Sequence, residues 1–166
     1  VVIDSFRNSS PISLERVKKI SKNNNFNDDE AIEIIKGDLR NFDVVDNIFS
    51  KSILDNDPIT AVIHFAALKS VPDSMKDPFE YYSNNILGSL NLFNAMVKHN
   101  VKQIVFSSSA AIYSPENTYP IKEDSKIEPQ NPYASSKYFI ENILEDFYES
   151  HEVSSISLRY FNPIGT

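Results

Sequence analysis

The chain has 166 residues, 41% of them hydrophobic, which is enough apolar side chain for the core of one globular domain. Its formal net charge of −7 argues against a nucleic-acid or anionic-membrane partner, because phosphate surfaces attract clustered Lys and Arg. It has no cysteine, its three histidines lack ligand spacing and no apolar run could span a bilayer, so we expect a soluble, cytoplasmic protein without a metal site.

The first half of the chain alternates predicted strands and helices. A β-branched run at residues 1–4 predicts a strand that ends in Asp4, and Ser13 is predicted to cap a helix whose apolar side carries Leu14, Val17 and Ile20. The polar loop KNNNFNDDE leads to a second strand in AIEIIKGDL and a helix in NFDVVDNIFSKSIL. The run TAVIHFAAL is apolar apart from His64, which is typical of a parallel strand covered on both faces.

The second half continues this alternation. DPFEYYSNNILGSLNLFNAMVKHN predicts the longest helix, entered at Pro78, and VKQIVFSSSA predicts a fourth strand. A proline-bearing loop leads to a helix in YASSKYFIENILEDFYES, and VSSISLRYFNPIGT supplies a fifth strand. Right-handed βαβ crossovers produce this pattern, so the sequence predicts an α/β fold with a doubly wound parallel sheet.

Ligands bind such sheets at the carboxyl ends of the strands, and the predicted strand ends here are polar. In a dinucleotide-binding fold Asp4 could accept hydrogen bonds from ribose hydroxyls, and Asp38 could accept one from an adenine amino group. Both carboxylates could instead serve as turn or helix-cap residues. The serines of SSSAAIY leave a buried strand and each needs a hydrogen-bond partner. Ser109 is therefore either a loop cap or a donor to a substrate oxygen.

Tyr133 and Lys137 stand four positions apart in NPYASSKYF, where a helix places both side chains on one face. A tyrosine with its ordinary pKa of about 10 is a poor base at neutral pH. A nearby lysine ammonium and a positively charged nicotinamide ring would favour the phenolate, which could remove a proton from a sugar hydroxyl as hydride leaves the same carbon. Alone, the pair could be ordinary helix packing. Strand-end serines at the same edge of the sheet favour the catalytic interpretation.

Seven segments, in this order and spacing, resemble the UDP-glucose 4-epimerases of the extended short-chain dehydrogenase/reductase family. They are VIDSF, KGDLR, VIHFAALKSV, PFEYYSNNILGSLNL, VFSSSAAIYS, NPYASSKYFIE and LRYFNPIG, and together they cover nearly all of residues 1–166. The resemblance implies a Rossmann-like, NAD-binding domain, an isomerase reaction on a UDP-sugar in galactose metabolism, and a homodimer for the full-length parent.

The resemblance also implies roles for individual residues. Tyr133 would take the proton of the sugar's 4-hydroxyl group, Lys137 would hold the nicotinamide ribose and lower the pKa of Tyr133, and Ser109 would hydrogen-bond the 4-oxygen. NAD would take hydride from C4 and return it to the opposite face of the 4-keto sugar. Asn162 would reach the UDP-sugar diphosphate. The implied cofactor contacts are, in chain order, Asp4, Ser5, Phe6, Arg7, Asn8, Ser9, Asp38, Leu39, Phe65, Ala66, Ala67, Leu68, Lys69, Asn84, Ser109, Tyr133, Lys137 and Phe161.

One feature separates related reactions. Ala110 and Ala111 stand where the nucleotide-sugar dehydratases of this superfamily carry an Asp-Glu pair, and eliminating water needs that extra acid and base. We therefore expect epimerisation. An epimerase for an N-acetylhexosamine or pentose UDP-sugar and a catalytically silent, NAD-binding scaffold remain as alternatives.

Several family features are replaced or missing. Pro72, Ser114 and Ala134 stand where glycine is usual, and each replacement removes a flexible backbone position, so the resemblance does not fix the local backbone geometry there. The family's glycine-rich turn belongs before Val1, on a strand that lies between the first and third predicted strands, and its substrate-binding lobe follows Thr166. We therefore expect residues 1–166 to be a partial NAD-binding Rossmann domain, doubtfully active alone, with a gap in its sheet.

Overall fold

The computed structural model describes residues 1–23 and 32–163, so most of the predicted polar loop lies outside the described residues. Strands and helices alternate through this part of the chain. The strands are β1 (Val2–Asp4), β2 (Ile34–Lys36), β3 (Val62–His64), β4 (Gln103–Ser109) and β5 (Ser154–Tyr160). The α-helices are α1 (Pro11–Asn23), α2 (Phe42–Leu54), α3 (Val71–Lys76), α4 (Pro78–Tyr82), α5 (Gly88–Lys98) and α6 (Pro132–His151). All strand pairs are parallel, which confirms the predicted α/β class.

The strands form two separate sheets. β1 pairs with β2, with Ile3 opposite Ile35, while β3, β4 and β5 form a second sheet in that order. β1 and β3 are not paired with each other, and no described strand lies between them. The break falls where the sequence predicts a gap.

Helix α5 and the core join the two sheets. The Asn91 side-chain amide on α5 donates to the carbonyl oxygens of Leu39 and Arg40, at 2.9 Å each, in the turn that follows β2. The buried core contains Val45 and Phe49 of α2 together with residues of α5, α6 and β4, among them Phe93, Met96, Phe106, Ile140 and Leu144. This core fixes α6 against β4, and so fixes the carboxyl end of β4.

The predicted cap of α1 is wrong. The helix begins at Pro11, so Ser13 lies in its first turn, and the Ser13 hydroxyl donates to the carbonyl oxygen of Ser10 at 2.8 Å. Proline suits a first helical position because its φ is already helical and its missing N–H would have no helical partner there. Val17 and Ile20, predicted on an apolar side, are exposed.

The expectation that β3 is covered on both faces is also wrong. His64 is buried, but Ile63, which points to the opposite face, is 67% exposed. The register places Ile63 beside Val105, which in turn lies beside Ile156, and Ile156 is 61% exposed. Helices α5 and α6 pack on the other face, and among the described residues nothing covers this apolar row.

The long predicted helix begins at Pro78, as expected, but it is not uniform. Its middle, Ser83–Leu87, is a π-helical turn between α4 and α5. A short helix that was not predicted, α3, precedes it, and Ser70 caps α3 by accepting from the N–H of Asp73. No described helix has the length and apolarity to cross a membrane.

The three residues that replace family-typical glycines fit their backbone. Pro72 lies in the first turn of α3, where proline is accommodated, and Ala134 is fully buried inside α6. Ser114 does not have a positive φ either. None of the three positions therefore needs the backbone freedom of glycine.

Candidate functional site

Helix α6 brings Lys137 to the carboxyl end of β4. The side chain of Asn131 caps the helix by accepting from the N–H of Ala134 at 2.9 Å, and Pro132 occupies the first turn. Tyr133, half-buried, follows in that turn, and Lys137 comes one turn later. The Lys137 ammonium donates to the carbonyl oxygen of Ser107 at 2.7 Å and lies 4.8 Å from the ring centroid of Phe106. The predicted pair therefore lies on α6 beside the predicted serines.

Lys137 is buried, and no carboxylate among the described residues pairs with it. Its side chain contacts a carbonyl oxygen and an aromatic ring, and burial lowers the pKa of its ammonium to about 8. A buried ammonium retains its charge more easily when further oxygens can accept its remaining N–H bonds. Hydroxyl oxygens of a ligand could therefore accept hydrogen bonds from the Lys137 ammonium.

His64, at the end of β3, is a neutral structural residue. Burial, reinforced by the charge of Lys137, lowers its pKa to about 3. The Ser89 hydroxyl donates to the carbonyl oxygen of Asn85 at 2.6 Å, so the 2.8 Å contact between His64 Nε2 and Ser89 Oγ must be donated by the histidine. The imidazole therefore carries its proton on Nε2, and its ring packs on Phe93 and Phe106.

A cavity of about 350 Å³ opens beside the ends of β4 and β5. Ser109, Phe161 and Asn162, all predicted site residues, line it together with Tyr113 and Ser114. Tyr133 and Lys137 do not belong to its lining, but Lys137 reaches β4 two residues before Ser109. The structure thus brings the predicted substrate contacts Ser109 and Asn162 to one cavity.

The three serines at the end of β4 have different partners. Ser107 receives Lys137 through its carbonyl oxygen, and the buried Ser108 hydroxyl donates to the carboxylate of Glu141. The Ser109 hydroxyl accepts from the N–H of Ala111 at 3.2 Å and caps the short 3₁₀ turn that follows. Since this contact uses an oxygen lone pair, the hydroxyl proton of Ser109 stays available to another acceptor. Ser109 can therefore be a cap and a donor at once.

The predicted adenosine contacts lie on the other sheet. Asp4 Oδ1 accepts from the N–H of Phe6 at 2.7 Å and from the Ser9 hydroxyl at 2.9 Å, which gives it a turn-forming role. The N–H of Gly37 donates to the carbonyl oxygen of Asp4 at 3.0 Å, so the ends of β1 and β2 adjoin. Asp4 and Asp38 thus share one sheet edge, which is separate from the sheet that carries Ser109.

Asp38 is paired with an arginine. Arg40 Nη2 lies 2.7 Å from Asp38 Oδ2, and this hydrogen bond holds the pKa of the Asp38 carboxyl below its usual range. Arg40 also contacts Glu80 at 3.2 Å, and Arg7 pairs with the same Glu80 oxygen. Asp38 also accepts from the N–H of Arg40 at 2.9 Å, as a turn residue would. Its predicted contact with adenine stays a prediction.

The loop after β3, residues 65–69, is held by an asparagine that the sequence did not single out. Asn85 is fully buried in the π-helical turn, accepts from the N–H of Leu68 at 2.8 Å and donates to the Leu68 carbonyl oxygen at 3.0 Å. It also contacts the Ser136 hydroxyl on α6 at 3.0 Å, and the predicted residue Asn84 donates to it at 3.1 Å. The signal that could have identified it is the pair of adjacent asparagines in an apolar helical stretch. In the structure both lie in a π-helical turn, a feature that often marks functional sites.

Comparison with known proteins places this geometry in a family. The model of the NAD dependent epimerase/dehydratase family matches residues 4–166. The chain belongs to this family. The resemblance inferred from the seven segments is therefore confirmed.

Relatives within the family align with nearly the whole of this chain. A bifunctional UDP-glucose 4-epimerase and UDP-xylose 4-epimerase of Pisum sativum is 42% identical over 165 residues, which cover 99% of this chain and 45% of the relative. The structure of a UDP-glucose 4-epimerase from Bifidobacterium longum in complex with NAD+ and UDP superposes with a TM-score of 0.85 at 39% identity, over 98% of this chain and 46% of that one.

A second UDP-sugar specificity occurs among the solved structures. A UDP-N-acetylglucosamine 4-epimerase from Methanobrevibacter ruminantium, in complex with UDP-N-acetylmuramic acid, has a TM-score of 0.79 and 36% identity over 98% of this chain and 47% of that chain. The chain thus spans less than half the length of these relatives. The Rossmann-like α/β fold of this epimerase/dehydratase family member is confirmed, while the roles of its individual site residues stay predictions.

Proposed function

We propose that the protein carrying this chain interconverts UDP-glucose and UDP-galactose, with NAD as cofactor and Tyr133 as the base. The observation that carries the proposal is the buried Lys137 ammonium at the end of β4. It lies one helical turn from Tyr133 and donates to the carbonyl oxygen of Ser107, two residues before Ser109. Membership of the epimerase/dehydratase family supports the reaction class.

The residues at these strand ends fit a dinucleotide. Phe65, which follows β3, and Phe161, which follows β5, are 61% and 58% exposed, so both side chains are accessible to a ligand at the strand ends. Lys137 has three N–H bonds, one of which is used by Ser107, and the others suit ribose hydroxyls. When bound, NAD supplies the site that accepts hydride and returns it. No glycine-rich turn occurs within the 166 residues, so the proposal concerns the protein at its natural length.

Each polar side chain then has one task. The Tyr133 phenolate, favoured by the positive charge of Lys137, removes the proton of the sugar's 4-hydroxyl group. The Ser109 hydroxyl donates to the same oxygen and orients it, since its lone pair is already engaged by the N–H of Ala111. Asn162, which lines the same cavity, donates to the diphosphate of the UDP-sugar. The proton returns from Tyr133 once hydride has come back to the opposite face of the sugar.

The test is conversion of UDP-galactose to UDP-glucose by the natural-length protein, followed by anion-exchange chromatography. We expect equilibration without added NAD if the cofactor is purified with the protein. Bound NAD without conversion of any UDP-sugar would instead support a silent scaffold.

A second candidate is an epimerase for another UDP-sugar. It is favoured by the UDP-xylose activity in the name of the Pisum sativum relative and by the UDP-N-acetylglucosamine specificity of the Methanobrevibacter ruminantium structure. UDP-N-acetylgalactosamine and UDP-xylose offered beside UDP-galactose distinguish these candidates, because the preferred substrate has the highest kcat/KM.

We also propose that the protein is a homodimer that pairs through α5 and α6. Large apolar side chains are exposed on these helices and on the turn before α5, namely Leu87, Leu90, Phe139 and Tyr148. A second copy packed on these side chains would remove them from water. Sedimentation equilibrium of the natural-length protein tests this, and Leu90→Glu together with Phe139→Glu is expected to yield monomers.

A further inference from the structure

A partly buried ion pair begins one turn beyond Lys137 on the same face of α6. Glu141 follows Lys137 by four positions and Tyr133 by eight, so the three side chains are aligned along the helix. Glu141 is 6% exposed, and its Oε1 accepts from the hydroxyl of Ser108, the residue before Ser109. The carboxylate therefore contacts β4 immediately beside the cavity.

Arg159 of β5 completes the pair. Its Nη2 lies 2.7 Å from Glu141 Oε2, and its Nε lies 3.1 Å and 3.2 Å from the two carboxylate oxygens. This hydrogen bonding raises the pKa of Arg159 further above its ordinary value, so the guanidinium is always charged. The two-pronged geometry fixes the plane of the guanidinium relative to α6.

The remaining edge of the same guanidinium holds the cavity wall. Arg159 Nη1 donates to the Tyr113 hydroxyl at 2.9 Å and to the carbonyl oxygen of Glu123 at 2.8 Å. The guanidinium carbon of Arg159, Cζ, lies 5.2 Å from the centroid of the Tyr113 ring. That ring stacks on the ring of Phe161, with 6.4 Å between the two centroids. Tyr113 and Phe161 both line the cavity. The Arg159 side chain thus connects α6 with Tyr113 and with the loop at Glu123.

We propose that Glu141 and Arg159 are positioning residues, which hold Ser109 on one side of the cavity and Tyr113 with Phe161 on the other in fixed relation to Tyr133. A buried ion pair adds little stability compared with apolar residues of the same volume, because desolvation offsets the attraction between the charges. Apolar residues could not form the hydrogen bonds that the Glu141 carboxylate makes with Ser108 and that the planar Arg159 guanidinium makes with Tyr113 and Glu123. The catalytic part of this proposal rests on the proposed function.

The first test uses Arg159→Lys and Glu141→Gln in the natural-length protein. Lysine keeps the charge but loses the planar fork, and glutamine keeps the shape but loses the charge. We expect kcat to fall tenfold or more in each variant, with KM for the UDP-sugar within threefold, at a temperature well below unfolding. The matched control is Asp46→Asn, which removes a partly buried carboxylate that pairs with Lys98 and His99 between α2 and α5. We expect it to lower stability and leave kcat unchanged.

The second test does not need activity. Labelling the natural-length protein with 3-fluorotyrosine gives one ¹⁹F resonance per tyrosine, eight of them from the 166 residues of this chain, and Tyr113→Phe assigns the one from the cavity wall. We expect Arg159→Lys to shift or broaden this resonance and Asp46→Asn to leave it in place. An unchanged resonance would overturn the proposal whether or not the protein is an epimerase.

A further variant separates positioning from folding. Glu141→Leu with Arg159→Met replaces both charges by apolar groups, and we expect it to fold with near-parental thermal stability and a shifted Tyr113 resonance. If this variant, corrected for NAD content, retained the parental kcat, the pair would be purely structural and the proposal wrong. If the parent protein has no epimerase activity, the proposed function fails, while the ¹⁹F result still decides whether the pair holds the wall.

Discussion

The ammonium nitrogen of Lys137 lies 2.7 Å from the carbonyl oxygen of Ser107. This contact crosses from α6 to β4 and joins the helix that carries Tyr133 to the strand that ends in Ser109. Because the partner is a backbone carbonyl, the contact is set by the path of β4 rather than by a mobile side chain. The relation between the proposed base and the proposed hydroxyl donor is thereby fixed by the packing of one helix on one strand.

Replacing Tyr133 with phenylalanine tests the assigned base. Only the phenol oxygen is lost, so we expect kcat to fall by about three orders of magnitude or more in the natural-length enzyme, with thermal stability and NAD content unchanged. Rates of UDP-galactose conversion provide the measurement. Near-parental turnover would show that another group removes the proton.

Replacing Lys137 with methionine tests the buried charge. Burial lowers the Lys137 pKa from 10.5 to about 8, so above pH 8 the folded protein releases a proton that the unfolded chain keeps until about pH 10.5. Stability of the parent should therefore rise across this window, by about 3 kcal/mol in total, and the rise should be absent in Lys137→Met. Urea unfolding at pH 7, 8, 9 and 10 measures the difference. Parallel curves for the two proteins would contradict a buried ammonium.

His64 predicts a dependence of the same sign at low pH. Its pKa is lowered from 6.5 to about 3, so below pH 6.5 the unfolded chain binds a proton that the folded protein does not. Stability should fall as the pH decreases, by about 1.4 kcal/mol per pH unit from this residue alone. In His64→Gln, whose amide can still donate to Ser89, we expect a shallower slope between pH 6 and 4. His151→Gln, at an exposed position, serves as the control and should retain the parental slope.

Ser114 predicts a local effect at the cavity wall. Its hydroxyl donates to Glu128 at 2.7 Å and accepts from the N–H of Glu116 at 3.3 Å, and these contacts join two segments of the loop. Ser114→Ala should lower stability by about 1 kcal/mol, because Glu128 is partly solvated, and Ser114→Gly should lower it further through the entropy of the unfolded chain. Thermal unfolding measures both. Ser125→Ala is the comparison, because the half-buried Ser125 hydroxyl accepts from the N–H of Lys122 at 2.9 Å, and an equal loss there would mean that the deeper burial of Ser114 has no influence.

Local signals predicted most of the fold and part of the site. The start of α6 could be located because Asn131 and Pro132 act within the first helical turn, and the serines of β4 could be recognised because a buried hydroxyl needs a partner. Ser13 was misassigned because a proline two positions earlier starts the helix instead. Each of these signals, correct or misleading, acts over a few residues.

The contacts that no local pattern shows are long-range. Asn85 bonds Leu68 and Ser136, and Arg159 bonds Glu141 and Tyr113, all between residues far apart in the chain. Such pairs depend on which helix packs against which strand, so a single sequence does not specify them. The exposure of Ile63 has the same origin, because an apolar run indicates a strand suited to burial but not the presence of a covering layer.

The separation of β1 and β2 from the other strands has a consequence for how the molecule opens. No backbone hydrogen bond between strands crosses from one sheet to the other in the described part of the chain, so only side-chain and core contacts couple them. Cooperative units of a protein exchange their amide hydrogens through separate opening events. The amides of residues 34–36 should therefore exchange with deuterium through a low-energy event in which β1 and β2 detach, whereas those of residues 103–109 should wait for global unfolding. The adenosine end of the proposed site would then be the part of the fold that a bound nucleotide protects most.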